Sequence, residues 1–304
     1  MPVHWYYDRS ALDRDYGQLE SFLAPKEPHP DSILHRSHYE PFNEKGDILH
    51  GESRHWGKHG VHYHRNLGPG ENTVNFKLAR ELRKLVSESG HYEPRGWVQR
   101  YTGLMLTPGW HRDTYVEEYH RGFFERFAQG KDPLKCGIKD EHIGGLAQVP
   151  ALIAALDEIG TGDKRETVKT HVSLTHRHSN VLRAADCLTR LTGLVAEGQP
   201  LREALMEAAG DWFSTKKAFK WEPRPDRDVV GPLISPACYI DQAFPAALYL
   251  AWKYHDRPLE GLLANARVGG DSCHRGAVVG ALLGAANDPQ EVYRSLGIGE
   301  DWFI

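Results

Sequence analysis

Cysteine is scarce in this chain. The four residues, at positions 136, 187, 238 and 273 of 304, lie far apart and form no Cys-x-x-Cys pair. That excludes the disulfide framework of a small secreted domain and suits a reducing compartment, so the expected location is cytoplasmic. No apolar run approaches the roughly 18 residues needed to span a bilayer. The opening Met1-Pro2-Val3-His4-Trp5-Tyr6-Tyr7-Asp8 has no charged-then-apolar layout of a signal peptide. A net charge of −4 gives no general attraction to nucleic acid or anionic lipid, so neither is expected as a partner. Sustained strand alternation is missing, and so is the 20–50-residue repeat of a solenoid. With 40% hydrophobic and 26% charged residues the chain is globular rather than disordered.

What is present is helical periodicity. From Thr73, the residues Val74, Leu78, Leu82, Leu85 and Val86 fall on one face while Lys77, Arg80, Glu81, Arg83 and Lys84 lie elsewhere, and Gly90 closes the helix. Further helices are predicted over about 96–105, 114–128, 145–159, 179–197, 201–213, 241–255, 258–266 and 275–286. Residues 1–70 read as irregular and rich in His, Gly, Pro and aromatics, with a long loop from Pro41 to Pro69. The expected fold is all-α, with residues 1–304 forming a single orthogonally packed multi-helix domain. Eighteen histidines are present, several at 50, 55, 59, 62 and 64, and others at 171, 176 and 178. Their plain reading is surface or hydrogen-bonded core residues, because a zinc site needs third and fourth ligands that spacing does not supply.

One segment concentrates chemistry. Gly269-Gly270-Asp271-Ser272-Cys273-His274-Arg275-Gly276 places an acid, a thiol and an imidazole on a Gly-Gly turn, directly before a helix of small residues (Gly276, Ala277, Gly280, Ala281, Gly284, Ala285). Paired glycines permit backbone conformations closed to other residues, and a Gly/Ala face lets the helix approach its neighbours closely. A second polar cluster, Gly70-Glu71-Asn72-Thr73, opens the first clear helix. Taken alone it is a helix start, with Asn72 or Thr73 capping and Glu71 favoured by the helix dipole.

This layout resembles the ADP-ribosylglycohydrolase family, which includes the dinitrogenase-reductase-activating glycohydrolases and the J1 crystallins. The family's signature is Gly-Gly-Asp-Thr-Asp-Thr before a small-residue helix, with an Asp-Asp-Thr run heading an early helix, and the carboxylates and threonines bind a metal pair. The resemblance implies Asp271 at the first carboxylate position, with Cys273 at the second and His274 at the threonine. At the early helix it puts Glu71 and Asn72 at the aspartates and Thr73 at the threonine. The resemblance spans about residues 3–286 and is strongest at 70–85, 141–152 and 240–285. Relatives carry an opening helix ahead of the segment matching His4–Asp8. The resemblance implies either a shortened N-terminus or a core closed differently here, and loss of that helix would expose apolar surface and favour a homo-oligomer.

The implied metal ligands are therefore Glu71, Asn72, Thr73, Asp271, Cys273 and His274, with Glu71 and Asp271 as the catalytic carboxylates. Two Mg²⁺ ions want anionic oxygen ligands, and this set offers two carboxylates with two softer donors. Three states stay open: one retained Mg²⁺ or Ca²⁺, a transition metal, or no metal, with Arg275 and a protonated His274 supplying positive charge in the last. Substrate-binding candidates are His111, Asp113 and Tyr115 in the Trp-His-Arg-Asp turn; His142, Gly144 and Gly145, whose loop matches one lining the family's ADP-ribose pocket; and His176. The implied activity is hydrolysis of an N- or O-glycosidic bond of an ADP-ribosyl or related ribosyl group, on an ADP-ribosylated protein or a small substrate. The alternative is a non-catalytic, J1-crystallin-like binding or structural protein.

Overall fold

The computed structural model describes residues 2–19, 21–160, 163–288, 290 and 294, and within them every regular element is helical. In chain order the α-helices are α1 (Arg9–Tyr16), α2 (Val74–Ser89), α3 (Pro94–Met105), α4 (Glu118–Ala128), α5 (Val149–Ile159), α6 (Lys164–Ser173), α7 (Ser179–Ala196), α8 (Leu201–Ala208), α9 (Thr215–Trp221), α10 (Asp226–Val229), α11 (Ile240–Lys253), α12 (Pro258–Arg267) and α13 (Ser272–Ala286). No described helix is long and apolar enough to cross a membrane. β-pairing among the described residues is confined to isolated bridges. One apolar core runs from Ile48 to Leu283 and takes its largest share from α7 and α11. α11 buries nearly every side chain from Ala243 to Trp252, so it lies inside the core rather than on its surface.

Two predicted boundaries move, and helices appear where none was expected. The helix expected over 114–128 begins at Glu118, because 113–117 is non-helical, with Glu117 itself in an extended conformation; Asp113 is buried and Glu117 largely so. Residues 143–146 form a short 3₁₀ turn before α5 rather than its first turn. Within the segment read as irregular, Asp8 accepts from the Ser10 and Ala11 amides and starts α1. α6 and α9, which no sequence pattern marked, start on Asp163 and Ser214 caps.

Helix α13 packs against α11, α12 and α7. Its small residues serve this at the near end, where a Cβ on Gly276 would come within 2.9 Å of the Asn265 amide. The far end of the small-residue face, Gly284 and Ala285, is exposed instead. The turn before α13 is more constrained. Gly269 and Gly270 have φ of +75° and +68°, and a Cβ would lie 2.4 Å from the Tyr6 carbonyl oxygen at one and 2.0 Å from that of Pro236 at the other. Both therefore require glycine. Arg275 is wholly buried and donates to Asn265 Oδ1 and to the Asn265 and Gly269 carbonyls, so it braces this turn rather than the site.

Candidate active site

The close approach at the glycine pair brings in the N-terminal segment. The Gly270 amide donates to the Tyr6 carbonyl (2.6 Å) and the Trp5 amide to the Gly270 carbonyl (2.8 Å). Asp31 holds the same segment by accepting from the Tyr7 and Asp8 amides. His4 is thereby delivered against Asp271, Nε2 to Oδ1 at 3.0 Å, while its Nδ1 lies 2.7 Å from His64 Nε2. His64 Nδ1 in turn bonds Asp113 Oδ1 at 2.6 Å, and Asp113 Oδ2 accepts from the Val74 amide at the head of α2. Four buried side chains thus form a line, carboxylate to imidazole to imidazole to carboxylate. With both carboxylates ionised, its three hydrogen bonds need three ring protons, and two neutral rings supply two. The pair carries one positive charge in that state, whereas a protonated Asp113, whose pKa burial pushes up to about 7, would donate to His64 and leave both rings neutral. Burial opposes that charge, but Cys273 and Asp271 raise His4 above its ordinary value, whereas burial and the charge on His4 push His64 well below its own.

A second arm leaves Asp271 through His274. Asp271 caps α13 by accepting from the His274 amide, and His274 Nδ1 sits 2.9 and 3.0 Å from its two oxygens. On the other side His274 Nε2 lies 3.2 Å from Glu117 Oε1 and 2.8 Å from Asn75 Nδ2. Bonding to Asn75 alone would suit a neutral ring, but a ring between two carboxylates is held as the imidazolium. Burial works against that charge and is outweighed, so the His274 pKa is raised well above its ordinary value. Burial alone would also raise Glu117, yet His274 holds it down at about 2. Asn75 donates to Glu117 Oε1 (3.0 Å) and accepts from Tyr119 and His120, which locks the arrangement.

The two carboxylates differ in what they have left to offer. Asp271 Oδ1 accepts from His4, the His274 amide and the His274 ring, and Oδ2 from the same ring. Glu117 Oε2 has no hydrogen-bond partner among the described residues. Both acids and His274 line a cavity of about 500 Å³ whose walls include Trp5, Tyr63 and Tyr239.

Of the substrate-binding candidates, Tyr115, His142 and Gly144 line this cavity, while His111, Asp113, Gly145 and His176 do not. Asp113 stands one layer back behind His64, its pKa pushed up to about 7 chiefly by burial. His111 is tied to the Ile48 carbonyl. His176 packs on the Tyr119 ring and closely against Gly145. Cys273 is buried beside His4; burial would raise its thiol, but the charge on His4 brings it to about 7.

The largest correction concerns the head of α2. Glu71 does not line the cavity: its carboxylate binds Arg112 (2.5 Å), the Gly68 amide (3.1 Å) and Lys77 (3.4 Å), and the Arg112 hydrogen bond holds its pKa at about 2. Asn72 is half-buried and Thr73 is the buried N-cap residue without a side-chain capping bond; neither lines the cavity. The head of α2 reaches the end of the Gly-Gly loop three residues beyond Asn72, through Asn75, whose Nδ2 lies 2.8 Å from His274 Nε2. The acid opposite Asp271 is Glu117, which sequence reasoning missed along with His4, His64 and Asn75. Its signal was the Glu117-Glu118 pair at the true start of α4.

A pair of hard cations does not fit this donor set. Imidazoles stand between Asp271, Glu117 and Asp113 where oxygens would be needed, and Asp271 is saturated by ring and amide donors. Two softer groups, His4–His64–Cys273 and His4–Asp271–His274, do bring their ligand atoms within 4.8 Å of one another.

No curated protein matches the chain in sequence. Among solved structures it is similar to a protein described as an ADP-ribosylglycohydrolase-related protein complex, with a TM-score of 0.52 and 23% identity over 76% of this chain and 77% of that one, a likeness of fold. The sequence profile of ADP-ribosylglycohydrolase matches residues 1–296, nearly the whole chain including both arms of the site. An all-helical frame, a Gly-Gly-Asp loop meeting the head of an early helix, and that match together place the chain in the ADP-ribosylglycohydrolase family.

Proposed function

We propose that the chain hydrolyses an N- or O-glycosidic bond at the anomeric carbon of an ADP-ribosyl or related ribosyl group, with a metal-free centre built on His274. The observation that carries this reading is Glu117. It lines the cavity with Oε1 fixed by Asn75 and His274, while Oε2 is buried and has no hydrogen-bond partner among the described residues. Glycoside cleavage passes through an oxocarbenium-like transition state. As the C–N or C–O bond breaks, its electron pair leaves with the departing nitrogen or oxygen, which takes a proton from solvent. A carboxylate that stays ionised at working pH stabilises the charge left on the sugar and orients the attacking water. It accepts the water proton as the new bond forms and returns it to solvent. Its low pKa suits this order of events, because water is weakly bonded to carbon when the charge is greatest. Asp271 is a positioning residue: it anchors His4 and His274, and His274 keeps both acids ionised and fixed. The aromatic walls exclude water around the reacting centre and offer faces to a planar base.

The test is incubation of the metal-stripped protein with peptides carrying ADP-ribose on arginine (N-linked) or serine (O-linked), with release followed by mass spectrometry. Release of ADP-ribose without added metal is expected. No release from either peptide, with or without Mg²⁺, would reject this reading in favour of the J1-crystallin-like alternative.

A further inference from the structure

The cavity has a second reactive wall that the glycosidic reading does not use. Cys238 and His142 both line it, and Asp140 lies behind His142. Asp140 Oδ1 accepts from the His142 amide and from its Nδ1, both at 2.8 Å, which fixes the ring's orientation. The backbone sets the thiol beside that ring: the Ile143 amide donates to the Cys238 carbonyl and the Ile240 amide to the Glu141 carbonyl, each at 2.8 Å. Thiol and ring share the same cavity wall, and burial, which would lower the His142 pKa, is outweighed by Asp140 and Cys238, so His142 stands at about 11.

The other cysteines are placed differently. Cys136 and Cys187 are buried with their thiols on main-chain carbonyls, and Cys273 is buried beside His4. Cys238 alone of the four is partly exposed. The remaining groups around the pair are the Tyr7 and Tyr115 phenols toward Cys238, and Lys139, Glu141, Glu118, His176 and His178 around His142 and Asp140. A second cavity of about 460 Å³ opens beyond His142 and Tyr239, so the ring stands on a ridge reached from two sides. Nucleophile, base and orienting carboxylate stand in the order that activates a thiol.

We propose that Cys238, His142 and Asp140 form a covalent binding site for soft carbon electrophiles of the α,β-unsaturated carbonyl class. The sulfur lone pair forms the S–C bond at the β-carbon, and the C=C electrons move to the enolate. His142, having taken the thiol proton, delivers it to the α-carbon. Nothing leaves and no oxidant is needed.

The test uses N-ethylmaleimide on the native protein between pH 6 and 9, with peptide mass mapping of each cysteine. At pH 6, where a free thiol of pKa about 8.5 is almost wholly protonated, Cys238 should react about tenfold or more faster than a small free thiol. His142→Gln and Asp140→Asn should each remove most of that advantage at pH 6 and leave Cys238 reactive at pH 9, which separates lost activation from misfolding. A Cys238 rate at pH 6 equal to that of the free thiol, or unchanged in His142→Gln, would overturn the proposal. None of these readouts depends on glycosidic activity.

Discussion

Replacing Glu117 with Gln keeps the side chain's shape and removes its charge, and two consequences follow from the geometry. The first is on stability. A folded pKa of about 2 against an ordinary 4.5 corresponds to a contribution on the order of 3 kcal/mol. That agrees with the roughly 3–5 kcal/mol cost of leaving a buried ionic partner unmatched, here His274. Because the folded pKa is depressed, this stability is fully present above pH 4.5 and is lost as pH falls from there toward 2. Wild type and Glu117→Gln should therefore differ most near neutrality and converge in acid. With an unfolding entropy of about 2.1 cal/mol/K per residue, a 304-residue chain shifts by roughly 1.6 °C per kcal/mol, so the melting temperature should drop by roughly 5 °C at pH 7. The second consequence is on turnover. Losing a preorganised charge aimed at the transition state costs about 10²–10³ in kcat, read as ADP-ribose release well below the variant's melting temperature. A Glu117→Gln protein with wild-type kcat would remove Glu117 from the chemistry. An unchanged melting temperature would refute the charged pairing with His274.

Glu71→Gln should leave kcat within about threefold and cost no more than about 1 kcal/mol, as for a surface ion pair; a hundredfold fall would return Glu71 to the site. Asp271→Asn should lower both activity and stability, the latter by about 3–5 kcal/mol in urea unfolding, because it leaves His4 and His274 without their shared acceptor. Gly270→Ala should cost about 2–5 kcal/mol through a left-handed backbone and a Cβ driven into the Pro236 carbonyl, and a urea midpoint equal to wild type would contradict the turn geometry. Elemental analysis should find no pair of tightly held Mg²⁺ ions, and two per chain would overturn the donor-set argument.

The Gly-Gly-Asp turn was legible because its chemistry is local: positive φ, an N-cap acid and the following helix all lie within a few residues. α2 was legible for the same reason, through an apolar stripe and a terminating glycine, and α13 through its run of small residues. The partners of Asp271 were not. His4 lies 267 positions away, and His64 reaches Asp113 across 49. Nothing in a His-rich stretch without periodicity marks which rings turn inward. Glu117 was hidden by the helix boundary, since a helix begun at 114 makes it an ordinary first-turn acid, whereas in the structure it is the extended residue before α4 and lines the cavity. The family pattern indicated which elements meet, but the contact is made by Asn75 rather than Asn72, and by Glu117 rather than Glu71.

The claim on which the account turns is that His274 is an imidazolium held between Asp271 and Glu117. ¹⁵N NMR of histidine-labelled protein, with His274 assigned by substitution, reads its ring directly. Both ring nitrogens should be protonated at pH 7 and remain so to at least pH 8, with the signal moving toward an ordinary titration in Glu117→Gln. A ring that is neutral at pH 7, or one whose nitrogen carries the shift of a metal ligand, would contradict the account.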